Sequence, residues 1–401
     1  MRLTPEVVAL GISQIIGYGT LYYSFGVLAP QMSRDFGWSL EWVFGALSAA
    51  LLVSGFVSPV AGRWIDRLGA GRIMTMGSLA AAASLVACAM APSGMAFAPA
   101  LTAMEAASTL VQYGAAFSLL VQRTPATAQR DIVYLTLFAG FASTIFWPLT
   151  AWLNGFFDWR RIYVGYAAMH VLVCLPLHAW LARRPPRPQE ARPEAPAAGG
   201  PAASRSGDLA PEDRRAGFVL MTVAFALVSF ILSAILMHMM PMLDTLGLGA
   251  VAVAVSASFG PSQVISRILN IMFARDMAQT HLSTIAAAAL ALGLVVLACT
   301  APSFYGAVAF AAVFGVGSGL FSIVSGTLPL ELLGRDGYGA LQGRLMSARL
   351  IVGAAAPFAF AWMMQQLGAI AALLVTSLTG VVAVGCLVQT ARLRARGRRG
   401  A

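Results

Sequence analysis

Apolar runs, each long enough to cross a bilayer, recur along the chain and are separated by short polar clusters. A membrane-spanning helix needs ~20 predominantly apolar residues. Twelve runs meet that need, beginning near Val7, Trp42, Ile73, Ala96, Ile132, Ile162, Gly217, Leu246, Leu282, Phe304, Leu345 and Ala369. The pattern predicts an all-α polytopic membrane protein with twelve transmembrane helices. Between the sixth and seventh runs, residues 183–216 are rich in Pro, Ala and charge and have no apolar period, the composition of a disordered linker. The expected organisation is therefore an N-terminal six-helix bundle over residues 1–182, a cytoplasmic linker over 183–216, and a C-terminal six-helix bundle with a short basic tail over 217–401. The first run, Val7 to Met32, is too long for a signal-peptide core and reads as a retained span.

Composition sharpens this picture. Hydrophobic residues make up 59% of the 401 and charged residues 10%, against about a quarter charged in soluble domains. The mean hydropathy is +0.77. A single soluble core stops growing near ~250–300 residues, so this much apolar surface implies a lipid-facing exterior. The formal net charge of +10 does not indicate nucleic acid, because the basic residues sit in short clusters between apolar runs. All are arginine. Loops on the side of the termini carry most of them, including Arg63, Arg67, Arg72, Arg123, Arg130, the linker arginines and the tail RLRARGRR, whereas the opposite loops carry Arg34, Arg160 and Arg161. The positive-inside rule then makes both termini and the linker cytoplasmic in a bacterial-type inner membrane, with the tail as a topology anchor. Cys88, Cys174, Cys299 and Cys386 lie inside apolar runs without paired spacing and read as packing residues, so no metal or cofactor is expected.

The halves echo each other. Phe117-Ser118 matches Phe321-Ser322, Arg130-Asp131 matches Arg335-Asp336, and Pro148 matches Pro357. Gly62-Arg63-Trp64-Ile65-Asp66 is answered by Ser266-Arg267-Ile268-Leu269-Asn270, which places Arg267 at the cytoplasmic end of the eighth span as the partner of Arg63. A duplicated six-helix unit of this kind places a substrate site near the bilayer midplane. Between the second and third spans stands GRWIDRLGAGR, Gly62 to Arg72. Its Gly62, Asp66, Arg67, Gly69 and Arg72 fit the loop signature G-x-x-x-D-R-x-G-R, and on these residues the chain resembles the major facilitator superfamily. Phe157-Asp158-Trp159-Arg160-Arg161 looks like the Trp-Arg start of that family's sixth helix, and Gly17 to Ser39 looks like its branch of bacterial monocarboxylate porters and oxalate–formate exchangers. The resemblance implies two bundles working by alternating access, with the signature loop latching one conformational state. It also implies, for anion porters of that branch, a basic residue in the middle of the eighth span.

Polar residues within the spans are the candidate substrate contacts, because an ionisable group at membrane depth is expensive. Glu105 lies about midway along the fourth span, with Thr109 and Gln112 expected on its face, and is a candidate for proton coupling as well as for binding. Gln14, Tyr18 and Tyr22 recur at helical spacing in the first span. Trp147 precedes the helix-bending Pro148. His238 sits within Met237-His238-Met239-Met240-Pro241-Met242, a gate histidine or, in a sharper reading, part of a soft-metal site. Ser318 and Ser322 share a face of the tenth span beside Gly315, Gly317 and Gly319, which read as packing glycines. Arg349 falls one or two turns inside the eleventh span, to bind an anion, close a gate or snorkel to the headgroups.

The expected function is secondary transport of a small organic solute, a monocarboxylate-like anion first, by symport or antiport with an ion (proton) gradient or by exchange. A drug or metabolite efflux carrier is the nearest alternative, followed by a copper importer and a non-transporting membrane sensor. No HExxH or paired-carboxylate constellation appears in the spans, so an intramembrane enzyme is not expected. The expected partners are the substrate and membrane lipids, and the expected state is a monomer.

Overall fold

The structure, a computed structural model, describes residues 4–183, 207–274 and 277–400. Among them every regular element is helical, and nine helices are long and apolar enough to cross a membrane by length and composition. Twelve rods follow in chain order. The first runs Pro5–Tyr18, passes through a π turn at Gly19–Tyr23 and continues as Ser24–Phe36. The second and third are Leu40–Leu68 and Ala70–Met90; the fourth is broken into Gly94–Ser108 and Tyr113–Arg123. The fifth joins Ala128–Ala139 to Phe141–Asn154, and the sixth runs Trp159–Met169, a π turn at His170–Cys174, and Leu175–Arg183. The remaining six are Arg214–Thr245, Ala252–Phe273, Gln279–Thr300, Phe304–Leu333, Tyr338–Leu367 and Ala369–Gly400. Six rods on each side of the central segment make the two pseudo-symmetric bundles expected from the apolar pattern.

The pattern of burial is that of a protein dissolved in lipid. Phe358 is 80% exposed and Leu172 73%, while Gln14, Thr20 and Glu105 are buried. Helix ends are set by local chemistry. Thr4 accepts from the Val7 N–H, and Asp158 from the Arg161 N–H at 2.8 Å, each satisfying an orphan donor of a first turn. Gly69 alone connects the second and third rods at φ 88°, a backbone region that side chains resist. Gln122, on the fourth rod, secures that turn by accepting from Ala70 N–H at 2.9 Å and donating to the Ile65 carbonyl at 3.2 Å. At the other end of the bundle Trp159 is fully buried and donates to Asp35 at 2.7 Å, and Arg160 binds the carbonyls of Ala89 and Ala91, both at 2.7 Å. The Trp-Arg pair thus ties the start of the sixth rod to the ends of the first and third.

The chain divides into two compact units, Met1–Ala203 with Arg335–Ser347, and Ser204–Gly334 with Ala348–Ala401. The first ten residues of the eleventh rod therefore group with the first unit. In the second unit the tenth rod packs against the eighth and ninth, and the twelfth against the seventh and ninth. The glycines of the tenth rod are points of close approach: a Cβ at Gly317 would meet the Ala286 carbonyl and Leu290, and one at Gly319 the Ser266 hydroxyl and Gln263. These are the packing roles expected of them.

Of the segment 183–216, residues 184–206 lie outside the described ones. The stretch 207–216 has structure of its own. Asp208 and Leu209 donate their N–H groups to the carbonyls of Glu331 and Leu332, extending the hydrogen bonding past the end of the tenth rod, and the seventh helix starts at Arg214. Arg394, within the basic tail, is buried and forms ion pairs with Asp208 at 2.7 Å and Glu331 at 2.9 Å. It is a structural clasp. Removing one partner of a buried pair strands the other and costs roughly 3–5 kcal/mol. We therefore expect Arg394→Leu to lower the thermal unfolding temperature of the purified protein markedly, while Arg396→Leu, at an exposed position, leaves it nearly unchanged. Equal effects would contradict the clasp.

Candidate functional site

In the first unit the polar candidates gather where three rods lose regular helical geometry. The first and sixth rods each carry a π turn, at Gly19–Tyr23 and His170–Cys174. The fourth is interrupted over Thr109–Gln112. Irregular backbone at membrane depth is tolerated only where protein or a wet cavity satisfies it, and π turns are frequent at functional sites. Cross-links bind the three irregularities together. Thr20 Oγ1 lies 2.8 Å from His170 Nε2, joining the two π turns. Gln14 Nε2 donates to the Val111 carbonyl at 2.6 Å, inside the break of the fourth rod.

Aromatic side chains surround this zone. Tyr18 and Tyr113 have ring centroids 4.7 Å apart, and Tyr113 stacks on Phe117 at 4.8 Å and 13°. Tyr22, Tyr23 and Trp147 form a second edge-to-face series at 5.2 and 5.6 Å. Glu105 is buried near the end of the first half of the fourth rod, its Oε2 3.5 Å from Ser108 Oγ and its Oε1 without a hydrogen-bond partner. The helix ends at Ser108, so Thr109 and Gln112 do not continue a helical face with Glu105. Gln112 instead caps the second half of the rod in an extended conformation. Sequence reasoning missed Tyr23, Tyr113, Thr20 and His170; their one available signal was aromatic density around Gln14, Tyr18 and Tyr22.

The second unit carries fixed charge on continuous rods. Arg267 is buried, 4% exposed. Its Nε donates to Ser322 Oγ at 3.1 Å and approaches the Gly319 carbonyl at 3.5 Å, while Nη2 meets Gln263 Oε1 at 3.3 Å. Gly319 lies halfway along Phe304–Leu333, so the guanidinium reaches the middle of the tenth rod. Arg267 stands six residues before the end of Ala252–Phe273, much as Arg63 stands five before the end of Leu40–Leu68, but their surroundings differ: Arg63 is exposed, whereas Ser322 and Gly319 give Arg267 a buried seat. Its Nη1, and Nδ2 of the buried Asn270 one turn on, have no hydrogen-bond partner. Arg349 lies about three turns from the start of the eleventh helix, which begins in polar sequence ahead of the apolar run. It donates to Ser229 Oγ at 3.0 Å and lies 5.0 Å over the Phe321 ring. Arg267 and Arg349 therefore approach adjacent residues of the tenth rod. Ser318 is buried one turn from Ser322 on the same rod. His238 is apart from this cluster, its Nδ1 3.1 Å from the Ala234 carbonyl and its ring 5.5 Å from Phe360.

The signature loop has its own geometry. The Asp66 carboxylate accepts from the N–H groups of Gly339 and Ala340 at 2.8 and 2.7 Å, at the start of the eleventh rod, where an anion is favoured. Gly62 makes the approach feasible, since a Cβ there would collide with the Gly339 carbonyl. Arg67 and Arg72 are exposed. A model of the Major Facilitator Superfamily matches residues 10–357, most of the chain. The chain belongs to the Major Facilitator Superfamily. It is thus a multi-pass membrane transporter of the secondary type, and the family gives no indication of an enzyme.

Solved structures agree on the fold. The human organic anion transporter MFSD10 (TETRAN) superposes with a TM-score of 0.71 at 16% identity, over 96% of this chain and 100% of that one. The proton:xylose symporter XylE gives 0.71 at 12%, over 96% and 95%. FucP in the outward conformation gives 0.71 at 13%, over 97% and 99%. No curated protein sequence matches the chain.

Proposed function

We propose that this transporter moves a small organic anion of the monocarboxylate type across a bacterial-type inner membrane by alternating access, with both termini and the linker cytoplasmic. One observation carries the substrate class. A guanidinium is buried against the middle of the tenth rod with Nη1 unpartnered, and a second arginine lies over the neighbouring Phe321. A buried charge without compensation is strongly unfavourable, and Ser322 and Gln263 offer neutral oxygens only. A carboxylate supplies the missing charge and accepts from a planar fork of donors. Ser318, Ser322 and Arg349 are the proposed substrate contacts of the second unit, with His238 as a gate residue; Gln14, Tyr18, Tyr22, Gln112 and Trp147 are those proposed for the first unit taken by itself. The working assembly is a monomer with substrate and lipid as its partners.

Glu105 is the proposed coupling group. A carboxyl that is neutral while crossing and charged on return ties substrate movement to a proton gradient. Its setting is buried, with one oxygen unpartnered and Ser108 near the other, and among the described residues no ion pair holds it ionised. The Asp66 contacts with Gly339 and Ala340 are the proposed latch, to be broken and remade in each cycle.

Three outcomes are expected in proteoliposomes. Arg267→Gln, which removes charge-assisted hydrogen bonds of roughly 1.5–3 kcal/mol, should reduce uptake of a labelled monocarboxylate at subsaturating concentration by about 10- to 100-fold; uptake within a factor of two or so of the parent rejects the anion assignment. Glu105→Gln should abolish accumulation driven by an imposed pH gradient while sparing exchange of substrate for substrate, and full gradient-driven accumulation makes Glu105 a packing residue. Asp66→Asn places an amide N–H toward a backbone donor, so it should slow net transport while changing equilibrium binding little. Abolished binding with normal exchange kinetics of the residual substrate would contradict the latch.

A further inference from the structure

At the break in the fourth rod there are polar atoms to which the anion reading assigns no partner. Gln14 is buried, 1% exposed. Its Nε2 is fixed on the Val111 carbonyl at 2.6 Å, which determines the orientation of the amide, and its Oε1 has no hydrogen-bond partner. Directly after Gln112 the second half-helix begins its first turn at Tyr113, where amide N–H groups have no intrahelical acceptor. Gln112 provides no side-chain cap, and Gly114 is in that turn. A Cβ added at Gly114 would meet nothing within 4 Å, and the same holds at the buried Gly17, one turn from Gln14 on its own rod. The Tyr18–Tyr113 ring pair joins the two rods at this level.

We infer that this break is a hydroxyl-binding subsite, formed by the Gln14 Oε1 acceptor and the Gly114 N–H donor beside open space. An acceptor and a donor presented together suit a group that is both, and a hydroxyl is the smallest such group. A bare carboxylate satisfies the N–H and leaves Oε1 without a donor; an ammonium satisfies Oε1 and faces the positive end of the half-helix. Gly114 keeps the ligand oxygen within reach of its own backbone. The subsite thus selects hydroxylated organic solutes over their bare counterparts. It deepens the anion reading by naming a second functional group of the substrate, and it rests on that reading only for the charged probes.

The test is ligand-induced thermal stabilisation of the full-length purified protein, which follows mass action. Four probes at equal millimolar concentration separate the two claims: propionate, 2,3-dihydroxypropionate, 1-propanol and glycerol. Each hydroxylated probe should stabilise more than its bare counterpart, with about tenfold tighter apparent binding within the charged pair, the factor expected for ~1.4 kcal/mol. Gln14→Leu should bring the pair to parity. That variant loses the Val111 bond as well, so Gly114→Ala provides the second arm: its added methyl enters open space, should leave the unliganded unfolding temperature unchanged, and should erase most of the preference. Parity within both pairs of the parent protein overturns the subsite, as does a preference that survives Gly114→Ala. Failure of the anion reading has a different signature, with charged and neutral probes stabilising alike whether or not they carry hydroxyls.

Discussion

Nothing in the hydrocarbon core of a bilayer will solvate a polar group, so each one placed there must find its partner inside the protein or in what the protein binds. That constraint organises this molecule. Most of the backbone meets it by forming long helices, and most buried hydroxyls meet it by donating to carbonyls one turn back, as Ser58 does to Ser54 and Thr222 to Phe218. Among the exceptions, the ones that bear on the candidate site are chemically distinct. They are the buried guanidinium of Arg267, the buried carboxyl of Glu105, and the backbone freed where the first, fourth and sixth rods depart from the α-helix. Where the protein does supply counter-charge, it does so fully: Arg394 is held between Asp208 and Glu331. The contrast with Arg267, which is held by neutral oxygens, is what gives the latter its meaning.

The two units meet the constraint by different means. The first has irregular backbone, a polar interior built on Gln14, Thr20, Glu105 and His170, and a dense aromatic lining. The second has continuous rods, close packing along the glycines of the tenth, and its two deep arginines directed to Phe321 and Ser322. The weak internal repeat therefore preserved the scaffold and not the chemistry. Phe117 and Phe321 correspond in sequence, yet Phe117 stacks on Tyr113 while Phe321 lies beneath Arg349.

The fold was legible because lipid contact demands long apolar runs, and such runs are visible one sequence at a time. Ten of the expected starts fall within a few residues of those seen. The eighth and eleventh were displaced, for opposite reasons. Leu246 opens an apolar stretch that the turn at Gly247, φ 76°, keeps out of the helix until Ala252. The eleventh helix begins at Tyr338 in polar sequence, where Asp66 stabilises its first turn. The candidate site was legible only in part. Glu105, Gln14 and Arg349 stood out as polar residues in apolar runs. The break after Ser108 contains neither Pro nor Gly, and the π turns have no local signature, so the zone that gathers Gln14, Thr20 and His170 is a product of tertiary packing. The surroundings of Arg267 were not legible, because a repeat match transfers position along a helix and carries no information about what the neighbouring rod offers.

The central claim is that the Arg267 guanidinium is reserved for the carboxylate of a transported anion. Nitrogen-15 NMR of the arginine side chains in the purified protein addresses it most directly, with the Arg267 signal assigned by its loss in Arg267→Lys. On titration with a monocarboxylate the account predicts a saturable shift of the Arg267 Nη resonances, absent with a neutral isostere. A shift confined to other arginines, with Arg267 unmoved at saturating ligand, would contradict it.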